Sequence, residues 1–206
     1  MSETKKHIKT TLKEFVAKVV NEALGSDYDD KIQEFAKELG YDLKKRLGSG
    51  EWGVAYLDNS GYVFKLTTNQ DEFYTAQDIE GRELKYFANV YSTHISGDED
   101  MMGIRKEYIN PLPTKLKSDI NLFFVEFDRY YHFKPSDLVI FEDILRKGSD
   151  EKFKSYLTKI NNKNLIIIYQ QFVSMFKEAN DEGILLSDIT PDNLGVRNKH
   201  LVLFDI

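Results

Sequence analysis

The run Gly48-Ser49-Gly50-Glu51-Trp52-Gly53 constrains this chain more than any other feature, because extended segments surround it on both sides. Glycines spaced G-x-G-x-x-G let a backbone approach phosphate groups without Cβ clashes. A dinucleotide fold places a helix directly after such glycines. A Walker-type loop ends in Gly-Lys-Ser/Thr. Neither condition holds here. Residues 41–47 and 54–57 read as strands, Asp58-Asn59-Ser60-Gly61 as a turn, and residues 62–66 as a third strand. The glycines therefore belong to a hairpin, and the plain alternative is a glycine-bearing turn that binds nothing.

Four further signals follow in order. Lys65 ends the third strand, where a lysine under a glycine loop can pair with ATP phosphates; the usual fate of a strand lysine is exposure. Residues 71–90 read as a helix, whose acids Glu72, Glu80 and Glu83 are candidates to hold that lysine. Glu80 leads because Leu84 and Phe87 follow at helical spacing on one face, with Glu83 second. Asp188 and Asn193, in Ser187-Asp188-Ile189-Thr190-Pro191-Asp192-Asn193, fit D-x-x-x-x-N directly after the apolar Ile184-Leu185-Leu186. In such a loop the aspartate accepts a hydroxyl proton and the asparagine carries a metal ion; the alternative is a polar turn. Asp205 ends the apolar run Leu201-Val202-Leu203-Phe204 and can face the same metal.

Each signal is weak alone, but their order is that of the protein kinases. Over residues 41–206 the chain resembles the protein-kinase-like superfamily, and within it the short kinase-like proteins of bacteriophages. The resemblance implies an α+β fold: an N-lobe of about five antiparallel strands with one helix, over residues 41–110. A reduced helical C-lobe would take residues 111–206, with an insert at 114–150 and a catalytic hairpin at 184–206. It implies that Gly48, Gly50 and Gly53 cover the nucleotide phosphates and that Lys65, paired with Glu80, binds them. Asp188 would be the catalytic base, and Asn193 and Asp205 would hold Mg²⁺. Glu107-Tyr108-Ile109 would be the hinge, with the Glu107 carbonyl and Ile109 amide meeting adenine. ATP and Mg²⁺ are the implied cofactors, and the acceptor is a hydroxyl of a protein or a small molecule.

The departures favour a second reading, a pseudokinase that acts as a nucleotide-binding or protein-interaction module. Leu186 and Ser187 replace the family's histidine and arginine, and Thr190 replaces a lysine. Lys106 precedes the hinge where an apolar or small residue is usual, and Gly195 stands where a larger one forms the adenine floor. Asp205-Ile206 replaces D-F-G, and the sequence holds nothing beyond it. A third reading, a component of a larger phage assembly, needs Phe123, Phe124, Phe127, Tyr130 and Tyr131 exposed as an aromatic surface.

Residues 1–40 read as a helical extension. Ile8, Leu12, Phe15, Val16, Val19, Val20 and Leu24 share one helical face; Ile32, Phe35, Ala36 and Leu39 share another, closed by Gly40. They suit a packing extension or a partner-binding helix. Residues 114–150 are ambiguous between strands and short buried helices, whereas 165–180 is a clear helix. The chain has no cysteine, which excludes disulfides and thiolate chemistry. Its four histidines (His7, His94, His132, His200) have no metal-ligand spacing and read as structural or surface residues. A net charge of -6 gives no general attraction to nucleic acid or anionic lipid, so neither is an expected partner. Without a signal peptide or a long apolar span, a cytoplasmic location is expected.

Overall fold

The computed structural model describes residues 25–49, 53–97, 101–132, 144–145, 150–184, 186 and 189–204. The helix expected over residues 8–24 lies outside the described residues. The chain forms two compact units, each discontinuous in sequence: residues 1–69 with 94–104, and residues 70–93 with 105–206.

In the first unit, helix α1 (Gly25–Glu38) buries Ile32, Phe35 and Ala36, which recur at three- and four-residue spacing. Gly40 ends the turn after it, at φ +80°. Strands β1 (Leu43–Ser49), β2 (Gly53–Asp58) and β3 (Val63–Thr67) follow as an antiparallel meander. Val54 lies opposite Leu66 and Tyr56 opposite Phe64. These four side chains and Leu43 form one core with the α1 stripe. That burial makes α1 a packing element and favours the plainer reading for residues 25–38. The Asp58–Gly61 turn forms as expected, with Gly61 at φ +86° and the Tyr62 amide donating to Asp58 Oδ1 at 2.9 Å.

Strands β4 (Val90–Ile95) and β5 (Met102–Lys106) complete a five-stranded antiparallel sheet in the order β1-β2-β3-β5-β4. With five helices in the described residues, the fold class is α+β. Within the first unit, His94 Nε2 lies 2.9 Å from the Tyr41 hydroxyl, a structural role for that histidine.

The second unit corrects one expectation. Helix α2 (Gln70–Asp78) is about half the helix expected over residues 71–90. Gly81 stops the run at φ +76°, a conformation that costs a side-chain-bearing residue roughly 1–2 kcal/mol, and its amide donates to Val90 O at 2.9 Å. Residues 82–89 then run without helix, held by side chains and by β8 (His200–Leu203). Glu178 accepts from the amides of Lys85 (2.9 Å) and Tyr86 (2.7 Å). Arg82 pairs with Glu182 at 2.9 Å, and the Ala88 amide donates to Leu203 O at 3.0 Å.

The ambiguous segment contains an 18-residue helix, α3 (Thr114–Tyr131), followed by α4 (Glu151–Lys159) and α5 (Lys163–Glu182). α5 buries Leu165, Ile168, Tyr169, Phe172, Met175, Phe176 and Ala179, and α3 and α4 pack on it. Gly183 caps α5 in the left-handed region at φ 73°. Phe123 and Phe127 are buried, and Phe124, Tyr130 and Tyr131 are half-buried, so α3 does not present the aromatic surface that the assembly reading needs. Beside the helices, β6 (Asn110–Pro111), β7 (Leu194–Arg197) and β8 form a three-stranded sheet in that order. In the β7–β8 turn Asn198 and Lys199 take φ 50° and 69°, as a two-residue type I′ hairpin requires.

Asp150 ties the three helices together. It is the N-cap of α4, accepting from the amides of Lys152 (2.8 Å) and Phe153 (3.2 Å), and it accepts from the Tyr131 hydroxyl at 2.6 Å. Its own amide donates to the Tyr169 hydroxyl. The Tyr131 bond, with the two amides, holds the Asp150 carboxyl below its usual range, while burial and Asp150 push Tyr131 upward. A depressed folded pKa means stability that is present above the unfolded carboxylate value and is lost as pH falls through the folded one. Asp150→Ala should cost about 1–2 kcal/mol at neutral pH. In urea titrations that difference should shrink below about pH 4.

Candidate functional site

The candidate residues fall into two groups, one in each unit. In the first, Gly53, Ala55 and Lys65 lie on the face of β2 and β3 opposite the α1 core, because side chains alternate along a strand. Lys65 is half-buried opposite Ala55, which is not the ordinary exposed strand lysine. The glycines differ from one another. A Cβ on Gly53 would sit 2.0 Å from Leu66 O, so the β2–β3 pairing itself demands glycine there. Gly48 lies exposed in β1 opposite Ala55, beside a register shift, and a Cβ there would meet open space. Nothing in the hairpin's packing requires glycine at Gly48. Gly50 lies outside the described residues.

In the second unit, Glu80 stands past the end of α2, exposed, with Oε2 accepting from the Thr93 amide (2.9 Å) and hydroxyl (2.7 Å). It does not share a helical face with Leu84 and Phe87, since Gly81 ends the helical course before them. Glu83 is exposed beyond the helix as well. Glu72 is the acid that α2 buries, beside Phe73 and Ala76. A helix running over residues 71–90 would favour Glu80 over Glu72; the shorter α2 reverses that order.

The Glu107–Ile109 segment is held firmly. The Glu107 amide donates to Asn89 O at 2.8 Å, and the Asn89 amide donates to the Glu107 carboxylate Oε2 at 3.3 Å. Its carboxylate pairs with Arg197, which also donates to the carbonyls of Leu84, Lys85 and Phe87. Ile109 turns inward onto Ala88 and Val202. Gly195 is explained by the same packing: a Cβ would sit 2.4 Å from Asn110 O and 2.5 Å from Ile109 Cγ2. Lys106, at the end of β5, is buried, and its Nζ donates to Phe204 O at 2.6 Å.

Residues 190–193 form a turn, with Pro191 second and the Asn193 amide donating to Thr190 O at 3.1 Å. Leu194 pairs with Leu203, and the Phe204 amide donates to Asn193 O at 3.0 Å, so Asn193 and Phe204 face each other at the open end of the β7–β8 hairpin. An amide oxygen at that end suits a hard cation such as Mg²⁺, which takes oxygen ligands and keeps several waters. Asp188 and Asp205 lie outside the described residues. Among the described residues no group of three or more His, Cys, Asp or Glu could hold a metal, and no helix is long and apolar enough to cross a membrane.

Comparison with protein-family models gives no match, and comparison with curated proteins gives none either.

Proposed function

We propose that the chain is a reduced kinase-like phosphotransferase that uses ATP and Mg²⁺ to phosphorylate a hydroxyl acceptor. The observation that carries this reading is a half-buried lysine in the middle of β3, the last strand of a glycine-bearing three-stranded meander. The helix that directly follows buries an acid, Glu72. Two further facts support it: Gly48 has no packing reason to be glycine, and Asn193 stands at the mouth of a hairpin whose chain continues into Asp205. In this reading Gly48, Gly50 and Lys65 bind the phosphates. Glu72 takes the role of helix acid expected of Glu80. Asp188 orients the acceptor hydroxyl, and Asn193 with Asp205 holds the metal. When bound, Mg²⁺ neutralises charge developing on the transferred phosphoryl group.

Thr190 favours a pseudokinase as the second reading, since a cation that would stabilise the transferring group is absent there. Removing one such stabiliser costs roughly 3–4 kcal/mol of barrier.

A thermal-shift titration tests the proposal. At about 100 times its Kd, ATP with Mg²⁺ should stabilise the chain by roughly 2.7 kcal/mol. The shift should vanish in Lys65→Met and become insensitive to Mg²⁺ in Asp205→Asn. No shift with any nucleotide rejects the phosphotransferase. A shift with no phosphate transfer to any hydroxyl acceptor selects the pseudokinase.

A further inference from the structure

We propose that Lys117, in the first turn of α3, supplies to the transferring phosphoryl group the cation that is missing at Thr190. The inference rests on the phosphotransferase reading above and deepens it. Thr190 opens the turn Thr190-Pro191-Asp192-Asn193, which the Asn193 amide closes on Thr190 O at 3.1 Å. The turn itself carries no cation. Lys117 reaches it from a different element: its Nζ pairs with Asp192 Oδ1, one residue before Asn193. An ammonium from α3 is thus held on the same turn as the asparagine assigned to the metal.

Stability does not account for a lysine at this place. The first turn of α3 holds Lys115 and Lys117 and no acid, and its N-cap, Pro113, makes no side-chain bond. The start of a helix is its positive end, where lysine is disfavoured. The paired side chains of Lys117 and Asp192 are 44% and 79% exposed, and pairs so exposed contribute little. The root of Lys117 is fixed nonetheless, since its amide donates to Pro113 O at 2.9 Å. A fixed root, a flexible stem and an exposed partner let the ammonium pass from Asp192 to a more negative group. The phosphoryl group in transfer is one. The bond from the γ-phosphorus to the β–γ bridging oxygen breaks, and that oxygen leaves with ADP and the electron pair. The acceptor oxygen bonds to the phosphorus, and its proton passes to Asp188 in this reading. Charge grows on the bridging oxygen, and an ammonium beside it lowers the barrier.

The test follows phosphate release from ATP and Mg²⁺ in single turnover, with water as the acceptor, beside ATP binding by calorimetry. Lys117→Met should slow release about a hundredfold or more and leave the Kd for ATP within about twofold. Lys117→Arg, or Thr190→Lys added to Lys117→Met, should recover about tenfold or more of that loss. Asp192→Asn breaks the pair but keeps the lysine, and should hold the rate within about threefold. Lys115→Met, a charge lost from another face of the same turn, should do likewise. An unchanged rate in Lys117→Met overturns the proposal and leaves the phosphotransferase standing. So does a loss that Asp192→Asn reproduces, or one that neither Lys117→Arg nor Thr190→Lys recovers, since Lys117 is then a structural tie. A wild type that binds ATP but releases no phosphate overturns the proposal and selects the pseudokinase. A wild type that binds no nucleotide overturns both readings.

Discussion

Phe123→Ala should destabilise the chain by about 3–5 kcal/mol, the cost of removing a fully enclosed aromatic ring and leaving a cavity. Phe123 has no exposed surface. Its ring stacks on Phe172 of α5 at 5.3 Å and meets Phe153 of α4 edge-on at 6.2 Å. All three helices thus depend on one side chain, and an aromatic cluster does not close over so large a gap. The neighbouring Val125→Ala is the control: it stands half exposed on the same helix and should change stability by under about 0.5 kcal/mol. Urea denaturation of the two variants decides the matter. A small loss at Phe123 would mean that residues 114–131 are a dispensable insert and not the wall of the helical core.

Arg197→Ala should cost about 2–4 kcal/mol, because truncating one partner of a partly buried ion pair leaves the other charge uncompensated. The Arg197 and Glu107 side chains are 19% and 21% exposed, so some solvent screening trims the loss. Three carbonyls, those of Leu84, Lys85 and Phe87, lose a charged donor as well. Arg197→Lys should recover little, since a single ammonium cannot span the fork of acceptors. If chemical denaturation shows Lys equal to Arg at this position, the ion pair with Glu107 matters and the carbonyl contacts do not.

The hairpins were legible in the sequence and the longer helices only in part. Asp58-Asn59-Ser60-Gly61 marks a turn by residues that tolerate positive φ, and that turn forms. Residues 71–90 misled because Leu84 and Phe87 continue a helical spacing from α2; Gly81 between them was the signal that outweighed it. α3 was hidden for the opposite reason. Its buried positions Ile120, Phe123 and Phe127 have helical spacing, but the exposed Leu122 and Val125 blur the stripe. For the candidate site, Lys65 lies in β3 and Asn193 in the bend just before β7. Glu72 was passed over because ranking the acids required the helix end. The reason for Gly195 was not legible either, since it depends on the backbone of Asn110, which is remote in sequence.

The bonds that hold residues 82–89 bear on how the chain assembles as it is made. Lys85 reaches Glu178 across 93 positions and Arg197 across 112. No local helix or strand fixes this stretch in the meantime. Synthesis proceeds at roughly 5–20 residues per second, so the stretch leaves the ribosome seconds before its partners exist. Closing so long a loop is slow and yields nothing until the last contacts form. Strands β1–β3 with α1 face a far shorter delay, because the buried residues of their core run from Ile32 to Leu66 and Met101, which packs on them, follows soon after. The nascent chain therefore carries an early-folding half and a half that waits for its final hairpin, with Leu84, Tyr86 and Phe87 uncovered in the interval.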